Sequence, residues 1–202
     1  MASGASKKLY LQAHPGEIVK ADGRKKDFCM IDFRALLSGG DVRSIGKSNI
    51  VVTAIRNQQD FDRLFGCLYY SERLVVMRAA DAVEKITIHT PEYLDKHKEA
   101  VFEFCIKCRH KELKWHLALL LPRLSLDKKE FFHVWNILIH WTKDKNNSRI
   151  VRVNALQALA ELTQKDNSYK IAFYNILEKL ENEKIPSILA RIRLLRNKMT
   201  SF

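Results

Sequence analysis

Residues able to do chemistry gather in four places along the chain. Cys105-Ile106-Lys107-Cys108, with His110 close behind, has the cysteine spacing of a metal site. A structural zinc takes four ligands and usually a second pair, and the neighbouring sequence supplies none. Both cysteines share a helical stretch with Phe104, where small apolar side chains pack well. The expectation is therefore two reduced thiols, with no metal and no cofactor. His133 and His140 stand seven apart on one helix face, beside Trp135 and Trp141. Burial against those aromatics is expected over metal ligation. Trp115, Trp135 and Trp141, interleaved with basic residues, could stack on bases. Base excision would also need a carboxylate, for which Asp81 stands without an acidic cluster around it. Gly39-Gly40-Asp41-Val42-Arg43-Ser44-Ile45-Gly46 invites a phosphate-loop reading, but no strand precedes it and the spacing is not that of a P-loop. A cap turn is expected, with Asp41 and Arg43 bonding to backbone or to each other. These two are the loop candidates for function.

Whatever these residues do, helices must position them. From Met30 onward the apolar spacing is helical, and breakers cut the chain into about ten helices of about 10–18 residues. Ser38-Gly39-Gly40 ends a short first helix, because glycine tolerates the left-handed cap geometry. Ser48, Asp127, Ser148 and Ser168 are expected to open helices. Thr90-Pro91 and Pro186 place proline in a first turn, where no amide partner is lost. Residues 1–28 show no apolar period and read as a flexible basic tail; residues 29–202 read as one helical domain.

A repeat orders those helices. Val75–Val83, Leu113–Leu121 and Val151–Leu159 align at a constant step of 38 residues. The apolar set 75, 79, 83, 86 recurs at 113, 117, 121, 124 and at 151, 155, 159, 162, which keeps one helix face apolar. Small residues recur beside it, at Ala79, Ala82, Ala118, Ala155 and Ala158, and let neighbouring helices approach closely. Bulkier partner helices, roughly 92–108, 128–143 and 168–182, carry Phe102, Phe104, Phe131, Phe132, Trp135, Phe173 and Leu177. A bulky helix followed by a small-residue helix at a fixed period is the pattern of a two-helix solenoid unit, which must stack to bury its apolar face. Helix 185–199 fits less well, as a terminal cap would. The pattern Val-x-x-x-Ala-x-x-Ala-Val/Leu at this period resembles HEAT repeats over residues 58–200. With Leu37–Gly46, Met77–Ala82 and Lys114–Ala118, the chain is similar to an uncharacterised family of bacterial HEAT-repeat proteins. The resemblance implies an all-α, right-handed α-α superhelix of stacked antiparallel helix pairs, of the HEAT/armadillo kind, and no activity. Two departures stand out. Val76 occupies a place where arginine is usual, and Pro122 should bend the second small-residue helix.

By analogy with that class, the second helices line an inner, concave face. Its polar positions would be Arg78 with His116 and Asn154, Lys85 with Arg123 and Glu161, and Val76 with Lys114 and Arg152. The last helix adds Arg191, Arg193, Arg196 and Lys198. The binding candidates are thus Arg78, Lys85, Lys114, His116, Arg123, Arg152, Asn154, Arg191 and Arg193. They form a basic strip suited to phosphate or acidic side chains, with Lys85 also able to pair with Asp81 at i,i+4. Trp115 falls at the place of Met77 and Val153 and is expected in the core.

The chain has 35 Lys and Arg against 23 Asp and Glu, a net charge of +12. That excess favours anionic partners but carries no reading motif of its own. No apolar run reaches the length of about 20 residues that a bilayer needs, and the first 26 residues are too polar for a secretory signal. Four cysteines are too few for a disulfide framework. The expectation is a cytoplasmic, non-enzymatic scaffold module whose partner is a protein. The alternative is a nucleic-acid binder or a relative of the HEAT-like DNA glycosylases.

Overall fold

The structure is a computed structural model. It describes Leu11–His14, Glu17–Val19, residues 31–40, residues 46–108 and residues 110–200. Asp41, Arg43 and the rest of the 41–45 segment lie outside the described residues.

The chain divides into two units, Met1–Asp32 and Phe33–Phe202. In the first, the backbone of β1 (Leu11–His14) pairs antiparallel with β2 (Glu17–Val19), with Leu11 opposite Val19 and Gln12 opposite Ile18. This pairing lies within the stretch that the sequence reads as a tail.

The second unit is helical throughout its described residues. Its elements are α1 (Phe33–Leu37), α2 (Gly46–Ala54), α3 (Gln58–Gly66), α4 (Arg73–Thr87), α5 (Lys98–Lys107), α6 (Lys111–Leu120), α7 (Lys128–Lys143), α8 (Arg149–Lys165), α9 (Lys170–Glu181) and α10 (Pro186–Thr200). Short 3-10 turns lead into or out of them at Cys67–Tyr69, Pro91–His97, Leu121–Arg123 and Asn167–Tyr169. α4 packs on α6, α6 on α8 and α8 on α10, and α7 and α9 also pack against α8.

The repeat-spaced apolar positions make this packing. Val75, Ala79, Val83 and Ile86 are buried, as are Leu113, Leu117, Leu121 and Leu124, and Val151, Ala155, Leu159 and Leu162. Each of these side chains removed from water contributes favourably at about 25 cal/mol per Å2 of apolar area. Ala79, Ala82, Ala118, Ala155 and Ala158 have no exposed surface at all.

The helix ends follow local chemistry. Gly39 and Gly40 stop α1 with φ of +65° and +78°, which side chains other than glycine's resist. Asp127 closes a capping box on α7: its carboxylate accepts the Lys129 and Glu130 amides, and Glu130 reaches back to the Asp127 amide. Ser148 holds the N-cap position of α8, and Pro186 is the first residue of α10. Three expected boundaries move. Ser48 does not open a helix; it lies inside α2, buried, and its hydroxyl donates to Asp81. Ser168 sits inside a 3-10 turn whose cap is Asp166. Pro122 does not bend α6 but ends it, because the missing amide and the ring clash convert the chain to a 3-10 turn at Leu121–Arg123.

Candidate functional site

Hydrogen bonds at both ends show that α4, α6 and α8 run side by side in the same direction. At their starts, Arg73 pairs with Glu112, and the Lys114 ammonium donates to Asn147 Oδ1 at 2.7 Å. Midway, Asn154 donates to the Trp115 carbonyl at 3.2 Å. At their ends, Arg123 donates to the Glu84 carbonyl and to Thr87 Oγ1 at 2.8 Å, and Lys165 donates to the Pro122 carbonyl at 2.6 Å.

Of the nine strip residues, all but Arg193 make side-chain hydrogen bonds within the chain, some on these bridges and some to other elements. Arg78 is fully buried, and its Nη1 donates to the Leu37 carbonyl at 2.6 Å and the Gly39 carbonyl at 2.7 Å. It fixes the end of α1 against α4. Arg152 is 3% exposed. Its Nε donates to the Thr142 carbonyl at 2.7 Å, and its Nη2 donates to both Glu183 oxygens at 2.9 and 2.8 Å. His116, also buried, meets Glu84 through Nδ1 at 2.8 Å. Glu84 faces Arg123 as well, 3.6 Å from its Nη2, and that charge partly offsets the burial that lowers the proton affinity of Arg123. Lys85 pairs with Asp81 at 2.6 Å, the i,i+4 pair expected from sequence, and donates to Asn49 Oδ1 at 2.7 Å. The ammonium of Lys114 also stands 5.0 Å from the Trp141 ring centroid. Asn154 bridges to α6, and Arg191 donates to Gln157 Oε1 at 2.8 Å. Arg193 alone is exposed with no side-chain bond among the described residues.

Cations that sequence places in one basic strip thus bond mostly to residues about one repeat away. A buried guanidinium held by carbonyls or a carboxylate has no free surface to offer a partner.

The surface left between the bridges is apolar. Met77, Trp115 and Ile150 line a groove of about 270 Å3 with Arg78, Asp81, Glu84, His116 and Asn154. Trp115 is not in the core: it is half-buried, like Met77 and Val153, and Ile150 is 43% exposed. The signal lay in the helix period. Position 77 is two residues, about 200°, past the buried position 75, so it points away from the core. Met77, Trp115 and Val153 repeat that position at steps of 38. Trp135 and Trp141 are each 3% exposed.

The groove holds a histidine–carboxylate pair, but no hydroxyl or thiol is among the residues lining it. Nucleophilic catalysis of the triad kind needs that third group. Asp81 already accepts from Ser48 and Lys85. Among the described residues, no three His, Cys, Asp or Glu side chains come together as metal ligands would. Cys105 is buried, and burial pushes its thiol up to about 12; burial also raises Cys108, whose sulfur donates to the His110 carbonyl. A second, wider cleft of about 690 Å3 lies where the turn 123–128 meets 165–169. Its walls mix Arg123, Lys128 and Lys165 with Asp127 and Asp166, and Tyr169 packs on Phe131 and Trp135 at 5.1 and 4.6 Å between ring centroids.

Compared with known protein families, characterised proteins and solved structures, the chain matches none. No described helix is long and apolar enough to cross a membrane.

Proposed function

We propose that the chain is a non-enzymatic interaction module of the HEAT kind. Its helix pairs stack into a right-handed superhelix, and it holds a protein partner, in the cytoplasm, on the face made by α4, α6 and α8. One observation carries the reading: on that face the charged side chains are tied to other groups of the chain, while exposed Ile150 and half-buried Met77 and Trp115 line one groove from α8, α4 and α6. Aromatic and aliphatic anchors ringed by polar groups are what partner proteins bury. The base-excision reading asks for a free carboxylate beside an aromatic, and Asp81 is engaged by Ser48 and Lys85.

A photo-crosslinking amino acid at position 150 of the full chain tests the reading in extract of the cells that make the protein. Position 132, where exposed Phe132 lies on the outer helix α7, is the control. A discrete protein adduct at 150 and none at 132 is expected. Adducts at 132 alone, or at neither position, would refute the assignment of the face.

A further inference from the structure

The turns that enter α4, α6 and α8 lie along one edge of the helical unit, as the Arg73–Glu112 and Lys114–Asn147 bonds require. Arg73, Lys111 and Arg149 are the first residues of these three helices, spaced 38 apart, and all are exposed. Lys143 and Lys145 stand in the turn before α8, also exposed. The acids of the same turns are engaged. Glu112 is held by Arg73, Glu72 pairs with Arg34 at 2.7 Å, and Asp144 accepts the Asn146 amide at 2.9 Å. By contrast Lys111, Lys143, Lys145 and Arg149 make no side-chain bond among the described residues. The face of α4, α6 and α8 spends its cations on internal bridges; on this edge Arg73 is spent in the same way, while Lys111, Lys143, Lys145 and Arg149 form no such bridge. It also carries an exposed aromatic: Tyr69, 60% exposed, lies 4.8 Å from the Phe104 ring at the turn before α4. The hydroxyl of Ser148, beside Arg149, is buried without a hydrogen-bond partner.

We propose that this edge binds single-stranded nucleic acid through its phosphates, with Tyr69 stacking on a base. Exposed Lys111, Lys143, Lys145 and Arg149, which make no side-chain hydrogen bond among the described residues, match a phosphodiester backbone in charge. An exposed aromatic beside such a row favours unpaired bases over a duplex, whose base faces are covered. The site is separate from the groove of Met77, Trp115 and Ile150, so each can fail without the other.

Fluorescence anisotropy of a labelled oligothymidine, titrated with the full chain across a salt series, tests the proposal. Four phosphate contacts on a single strand give a slope of about −3 in the log–log plot of affinity against salt. The triple variant Lys111→Gln, Lys145→Gln, Arg149→Gln is expected to lose about tenfold or more in affinity at low salt and to flatten the slope to about −1. Lys128→Gln, Lys129→Gln, Lys170→Gln, with the same net charge but on the opposite edge, is expected to stay within about twofold. Tyr69→Ala is expected to weaken binding about fivefold. Circular dichroism checks that each variant is folded. Absence of binding at low salt overturns the proposal. So does equal loss in the two triple variants, which would make net charge the cause, and so does equal competition by an unlabelled duplex at the same phosphate concentration.

Discussion

Arg78 shows how one side chain can serve the fold while looking like a ligand. Its guanidinium satisfies the carbonyls of Leu37 and Gly39 at the end of α1, a site no solvent reaches. Arg78→Met keeps the apolar stem but orphans both carbonyls. The expected cost is about 2–3 kcal/mol, since a buried acceptor without its charged donor loses that much, read as a lower urea midpoint at unchanged slope. Cys105 makes a second prediction at this scale. Burial pushes its folded thiol up to about 12, so the folded state holds that proton more tightly than the unfolded chain. The stability this gives is fully present below the ordinary thiol value of about 8.5 and is lost as pH rises from there toward 12. Iodoacetamide at pH 8 is expected to leave Cys105 unmodified in the native protein and to label it in urea; rapid native labelling, read by mass spectrometry, would contradict this.

Between elements, the charge pairs act as ties at the repeat interface. Glu112 at the start of α6 is buried, which alone would raise its carboxyl; the Arg73 hydrogen bond and charge, its own backbone amide and the Lys111 charge together outweigh burial and hold it below the usual value. Its contribution is therefore present above the ordinary carboxylate range and lost as pH falls through the lowered folded value. Arg73→Ala is expected to cost about 1 kcal/mol at pH 7, because Arg73 is largely exposed and screened. It is also expected to shift the acid-unfolding midpoint to higher pH. An unchanged midpoint would show that the tie carries nothing. This scale also separates what sequence shows from what it hides. The apolar positions at steps of 38 were legible because burial is decided by helix period alone, and all twelve are buried, from Val75 to Leu162. The cap residues Gly39, Gly40 and Asp127 were legible because their chemistry is local. Arg78 and Arg152 were not, since polar character says nothing about a partner carbonyl or carboxylate 31 to 41 residues away. Trp115 was misplaced because a large aromatic at a repeat position suggests core, whereas its angle around the helix puts it on the open face.

Over the whole helical unit these ties form a ladder. Arg34–Glu72, Arg73–Glu112, His116–Glu84, Arg123–Thr87 and Arg152–Glu183 each join residues 31 to 39 positions apart, so every rung links one pair of helices to the next. Under the proposed stacking of helix pairs, stability is the sum of unit and nearest-neighbour terms, and the rungs belong to the second kind. Among the described residues, the cations thus include a buried structural set and an exposed set along the edge of turns. Arg152 and Arg193 separate the two roles most directly, because sequence placed both on one binding strip. Equilibrium urea unfolding of Arg152→Ala and Arg193→Ala, side by side at pH 7, tests this division. Arg152→Ala leaves Glu183 facing a buried gap and is predicted to lose about 3–5 kcal/mol, while exposed Arg193→Ala stays within about 0.5 kcal/mol of the parent. Equal, small losses in both variants would contradict the account and return Arg152 to the surface as a binding residue.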